Sequence, residues 1–145
     1  MRAMEISRTG LEVEWRRLEI IAENLANAQT VNTANGELFR PRHLVSGPAT
    51  DFASYLEGGI SKGSNARLAG VAVYSVEAID LPPRIMHEPG NPAADADGNV
   101  AYPGMDQAAE MTLLVKTART YQANMVAMNA ARQMYSKALE LGGRR

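Results

Sequence analysis

A chain of 145 residues, 46% hydrophobic and 21% charged, has room for one modest domain. Its 15 basic and 16 acidic residues leave a formal net charge of −1, which argues against the clustered positive surface that nucleic acid requires. With no cysteine there is no disulfide framework, thiolate metal site or cysteine nucleophile.

The N-terminal segment, residues 2 to 28, contains only Gly10 as a helix breaker and is rich in Ala, Met, Leu, Glu and Arg, so it reads as one long helix. Glu5, Arg8, Glu12, Glu14, Arg16, Arg17 and Glu19 interrupt any apolar run, and neither a cleaved signal peptide nor a membrane span is expected there. Met4, Leu11, Leu18 and Leu25 recur every seven residues, with Trp15, Ile21 and Ala22 beside them on the same face.

All seven prolines and nine of the twelve glycines fall between Gln29 and Gly104, which makes the middle a turn-rich region. Asn35-Gly36 and Asp97-Gly98 are favoured two-residue hairpin turns, because Asn, Asp and Gly tolerate positive φ. The stretch Ser46 to Asn65 sets Gly, Ser and small polar residues around isolated Phe52 and Tyr55, a composition compatible with mobility until a neighbour orders it. An imperfectly alternating strand is expected from about Ala69 to Ile79, carried by Val71, Val73, Tyr74, Val76 and Ile79. Pro82-Pro83 and Glu88-Pro89-Gly90-Asn91-Pro92 enforce extended or turn conformations.

Residues 105 to 141 read as a second long helix. A seam runs through Met111, Leu114, Ala118, Tyr121, Met125, Met128, Arg132, Tyr135 and Leu139, and all of these except Arg132 can pack as knobs. Arg132 can snorkel, pair with an acid or set a register. A milder stripe of Val115, Ala123, Val126, Ala127, Ala130 and Met134 is wider than one partner helix covers. At 1.5 Å per residue this helix reaches roughly 55 Å and the first about 40 Å, whereas a compact chain of this length is about 40 Å across. An antiparallel helical hairpin with frayed ends and an intermolecular bundle both fit the pattern. The uncharged run Thr120 to Ala131 is too short to span a membrane and includes Gln122, Asn124 and Asn129.

Sites for chemistry match by letter only. Gly59-Ile60-Ser61-Lys62-Gly63 has the spacing of a nucleophile elbow, but Leu56-Glu57-Gly58 and Ser64-Asn65-Ala66 supply neither the strand nor the helix that such a turn needs. Gly58 to Gly63 has P-loop spacing with Ser64 where the lysine belongs. Around Asp95-Ala96-Asp97-Gly98-Asn99, a calcium loop would put Ala93 and Gly104 at its first and twelfth positions, so an Asp-Gly turn with solvated carboxylates is expected instead. His43 and His87 have no metal-binding spacing. No catalytic residue, metal or cofactor is expected.

Thr9-Gly10-Leu11, then Leu18, then Asn24-Leu25-Ala26-Asn27-Ala28-Gln29-Thr30 closely resembles the signature of the bacterial flagellar rod, hook and hook–filament junction proteins. The short length, the stretch from Glu88 to Pro103, Glu110-Met111 and Ala118-Arg119-Thr120-Tyr121-Gln122-Ala123-Asn124 resemble the proximal rod members of that axial family. The resemblance covers roughly residues 4 to 42 and 70 to 142; Leu44 to Ala69 matches no pattern.

The resemblance implies a structural subunit, not an enzyme, of the flagellar basal-body rod in the periplasm, exported without a cleaved signal by the flagellar type III system. It implies a mainly α fold with a small β-rich insertion. The helices of residues 1–30 and 105–145 would pair as an inner coiled coil around a Gly/Pro-rich β-hairpin middle at 31–104. The implied partners are other rod and basal-body proteins (FlgB-like, FliE-like and distal rod), further copies of the chain and the export apparatus, with no nucleic acid and no direct membrane span. Residues expected at the assembly interface are Leu11, Leu18 and Leu25 on the first helix and Leu114, Tyr121, Met125, Met128 and Leu139 on the second. Asn24 and Asn27 suit neighbour contacts, helix-end hydrogen bonding or plain C-terminal capping. The alternatives are a FlgB-like proximal rod protein and a helical-hairpin adaptor that binds one partner.

Overall fold

The computed structural model describes residues 2–31, 37–49 and 70–143. In chain order these form helix α1 (Arg2–Asn27), strands β1 (Arg42–Pro48), β2 (Val71–Ala78), β3 (Arg84–His87) and β4 (Asn99–Tyr102), and helix α2 (Gln107–Gly142). The fold is mainly helical, with two separate two-stranded sheets, β1–β2 and β3–β4. The expected Asn35-Gly36 turn, the Ser61 motif, the P-loop spacing and most of the Ser46–Asn65 stretch lie outside the described residues.

Both helices follow from local chemistry. Asp106 caps α2: its Oδ1 accepts the N–H groups of Ala108 (2.9 Å) and Ala109 (3.3 Å), and Glu110 adds a negative charge in the first turn. At the end of α1, Asn27 turns its own amide back onto the Glu23 carbonyl (2.9 Å), which satisfies a group that the last turn leaves open. The observed helices of 26 and 36 residues match the expected segments to within two residues at each end.

The chain divides into two compact units. One comprises Met1–Arg16, Val45–Ser75 and Ala118–Arg145. In it Val13 is buried, the Trp15 ring tilts 51° against Tyr121 with centroids 6.0 Å apart, and Gly10 faces the Asn124 amide. The other comprises Arg17–Leu44 and Val76–Thr117. Its core gathers Ile20, Ile21 and Asn24 of α1, Ala28 just after it, Leu44 of β1, Val100, Pro103 and Met105, and Thr117 of α2.

β1 and β2 run antiparallel, because Ile79 donates to the Pro41 carbonyl (2.7 Å) at one end and Ala49 donates to the Gly70 carbonyl (2.9 Å) at the other. These end bonds are one residue out of register with each other, so the ribbon accommodates one extra residue. Burial along β2 runs in pairs rather than alternating. The strand expected at Ala69 to Ile79 is thus present as Val71–Ala78. β3 and β4 pair antiparallel from Arg84↔Tyr102 to His87↔Asn99. Here the structure corrects the expected two-residue turn at Asp97-Gly98: the connection spans all of residues 88–98. Gly98 supplies the positive φ (+76°) at the exit of a turn whose N–H bonds back to the Asp95 carbonyl, and the rest of the loop has bonds of its own.

On α2 the half-buried and buried residues are Gln107, Glu110, Leu114, Thr117, Ala118, Tyr121, Asn124, Met128 and Ala131, mostly three and four apart. Leu114, Ala118, Tyr121 and Met128 of the expected seam are among them. Met111, Met125, Arg132, Tyr135 and Leu139 are exposed, because Glu110, Thr117 and Asn124 take the inward positions between. From Arg132 to Gly143 every residue is exposed.

Candidate functional site

The signature residues of α1 are polar where a packing helix would ordinarily be apolar, and the structure shows what they hold. Asn24 is 1% exposed. Its Oδ1 accepts the Arg42 N–H (2.9 Å) and its Nδ2 donates to the Arg42 carbonyl (2.8 Å), so one amide satisfies both backbone groups of one residue. Glu23 pairs with the Arg42 guanidinium. Pro41 bonds to β2, so the backbone groups of Arg42 point away from β2, and the Asn24 amide stands where a third strand would pair.

Thr9 does the equivalent for β2. Its hydroxyl donates to the Ile6 carbonyl (2.8 Å) and accepts the Val71 N–H (3.1 Å). Gly70, at φ +102°, makes the approach possible: a Cβ there would overlap the Thr9 hydroxyl. Gly10 next to it leaves room for the Asn124 amide, whose Nδ2 would lie 3.0 Å from a Cβ at that position.

Within the β3–β4 loop, Glu88 accepts hydrogen bonds from Asn91 Nδ2 (2.9 Å) and the Tyr102 hydroxyl (2.9 Å), while Arg84 lies over the Tyr102 ring with its guanidinium carbon 5.6 Å from the centroid. The bonds from Asn91 and Tyr102 hold the Glu88 carboxyl below its ordinary pKa, and the same carboxylate pushes the Tyr102 phenol up. Asp95 Oδ1 accepts the N–H groups of Asp97 (2.9 Å) and Asn99 (2.8 Å), so this carboxylate serves the turn. His43 Nε2 lies 3.9 Å from Glu77 across the β1–β2 ribbon, and His87 Nδ1 lies 3.2 Å from Asn99 Oδ1. Among the described residues no three His, Asp or Glu side chains gather in a way that could hold a metal ion, and no helix is long and apolar enough to cross a membrane.

The residues expected at an interface separate into three groups. Asn24 is buried in its clamp on Arg42. Leu11, Leu18, Leu25, Asn27, Leu114, Tyr121 and Met128 are half-buried within the chain. Met125 and Leu139 are exposed, together with Met111, Val115, Val126, Met134 and Leu141. Sequence reasoning missed Arg42, Glu88 and the part played by Thr9. The polar Thr9 and Asn24 amid an apolar face were the available signal.

Residues 97–141 match the family model described as flagellar basal body rod FlgEFG protein, C-terminal. The flagellar basal-body rod protein FlgC of Salmonella typhimurium is 34% identical over 138 residues, covering 95% of this chain and 94% of that protein. The chain belongs to the FlgC family of flagellar basal-body rod proteins. The FlgC of Bacillus subtilis is likewise 34% identical, over 97% of this chain and 96% of its own length, and that of Agrobacterium fabrum 31%, over 96% and 92%. The protein is therefore a structural component of the flagellar basal body, not an enzyme.

Proposed function

We propose that the chain builds the proximal rod through its terminal helices: residues 1–30 and 105–145 pair as a coiled-coil inner layer, and residues 31–104, with their Gly/Pro-rich hairpins, form an outer β-rich part. The observation that carries this reading is the apolar surface of α2 left open along its length: Met111, Val115, Val126, Met134 and Leu141 are exposed on one side, Val126 to 68%, and Leu139, 59% exposed, continues the line of Leu114, Tyr121 and Met128. A single chain has little reason to keep so much apolar surface on one helix, whereas a repeating assembly buries it. Contacts that do not close on themselves generate a filament.

The interface residues sort accordingly. Met125 and Leu139 face neighbouring subunits, and Leu11, Leu18, Leu25, Leu114, Tyr121 and Met128 set the pairing of the chain's own helices. Asn24 and Asn27 fix the end of α1, and Arg132 lies beside Met4, Glu5, Arg8, Met128 and Asn129 at the rim of the paired region. The neighbours are FlgB-like, FliE-like and distal rod proteins together with further copies of this chain. Delivery is by the flagellar type III apparatus into the periplasm, and torque passes through many small apolar contacts.

Before assembly the open faces are unburied, and the helices are weakly held, which suits passage through a narrow channel. Complementation of a strain lacking its own subunit tests the reading. Val126→Asp should be exported and yet give no rod and no swimming; normal motility of that variant would refute the helix-face assignment.

A further inference from the structure

The two clamps on α1 each tie a strand edge to a turn of the helix. Asn24 covers the outward edge of β1 at Arg42, and Thr9 covers the outward edge of β2 at Val71. The Thr9 hydroxyl is aimed by the Ile6 carbonyl, which lies in the required place only when that turn is helical.

A two-stranded ribbon is marginal by itself in water. β1 has Arg, His, Ser, Gly and Pro among its seven residues, and one of its few buried side chains is Leu44. Its stability has to come from what it is held against.

We infer that Thr9 and Asn24 are latches that make the order of the β1–β2 ribbon conditional on the helical state of α1, so that the middle of the chain takes shape together with the terminal helix and not ahead of it. Each latch engages when its own turn of α1 is helical and releases when that turn unwinds. Gly70 is part of the device, since only a residue without Cβ admits the Thr9 hydroxyl. The latch acts within one chain and stands independently of which surfaces build the rod.

Amide exchange on the purified full-length chain tests it without any assembly readout. In the wild-type chain the ribbon amides of Ala49 and Ile79 should share one protection level with the amides of α1, high or low together. Ribbon amides protected while those of α1 have exchanged would overturn the latch. Leu18→Pro, which breaks α1 between the two latches, should lower protection at Ala49 and Ile79 at least tenfold and leave the Glu88 and Gly98 amides of the β3–β4 loop near their wild-type rates. Wild-type protection of Ala49 and Ile79 in that variant would also overturn it.

Should Leu18→Pro unfold the whole chain, a pair of substitutions at Thr9 decides. Thr9→Val, which keeps the shape and removes the hydroxyl, should lower protection at Val71 and Ala49 about tenfold, whereas Thr9→Ser should stay within about twofold of wild type. Equal rates in the two Thr9 variants would refute the latch.

Discussion

Gly104 shows how one missing Cβ places an element. A Cβ there would overlap the carbonyl of Pro82, and Leu81 is close by, so the chain leading into β3 lies flat against the backbone that leads into α2. Gly104→Ala forces these two backbones apart and should cost about 1–3 kcal/mol, the usual range for overpacking, read as a lower urea midpoint. Glu88 makes a pH prediction. Its pKa is lowered because the charged form accepts hydrogen bonds from Asn91 and Tyr102. Its contribution is therefore complete above its ordinary value of 4.5 and is lost as the pH falls through the lower value of the folded chain. The protection factor of the Asn91 backbone N–H, which donates to the Glu88 carbonyl, should fall progressively over that acid window. Glu88→Gln, which cannot titrate, should remove that pH dependence.

At the scale of elements, Gly10 is where the two helix faces meet a constraint from both sides. Alanine is the better helix former by about 1 kcal/mol, and the atom that a new Cβ would meet is the far end of the Asn124 side chain at 3.0 Å, which can swing aside. Gly10→Ala should leave thermal stability nearly unchanged, while Gly10→Leu should lower the midpoint markedly, because no rotation of Asn124 clears a branched side chain. The same pair explains how legible the fold was. Helix extents were plain from the absence of Gly and Pro. Hydrophobicity ranks Met111, Met125 and Leu139 on the seam without saying whether the chain itself covers them; they are exposed, and Glu110, Thr117 and Asn124 occupy inner positions. β1 was illegible because Arg42–Pro48 does not alternate, and one support of its edge is a side chain eighteen residues away. The turn at Asp97-Gly98 was found but not the length of its loop, which is set by Glu88 bonding to Tyr102 fourteen residues on. Local pattern carries no record of such partners. The signature residues Thr9 and Asn24 did carry one, as polar groups on an otherwise apolar face.

For the whole molecule, the question is which apolar residues serve the chain and which serve its neighbours, and exposure divides them. Met128 is half-buried and lies beside Met4, Arg8 and Arg132, whereas Val126 and Leu139 are open to solvent. Met128→Asp places a carboxylate against the chain's own apolar contacts and should therefore lower the stability of the isolated subunit as well as abolish the rod. Val126→Asp and Leu139→Asp add a charge where the isolated chain has water, so their urea midpoints should lie within about 0.5 kcal/mol of wild type, as for ordinary surface substitutions. In cells lacking the native subunit, all three variants should appear in the export fraction, and none should restore swimming. The informative comparison is between the stability of each variant and its incorporation into purified basal bodies. Met128→Asp fails on both measures, whereas Val126→Asp and Leu139→Asp fail on incorporation alone. If Val126→Asp or Leu139→Asp assembled normally, the side of α2 that it marks would not be a contact between subunits; if either unfolded the monomer, that side would serve the chain itself.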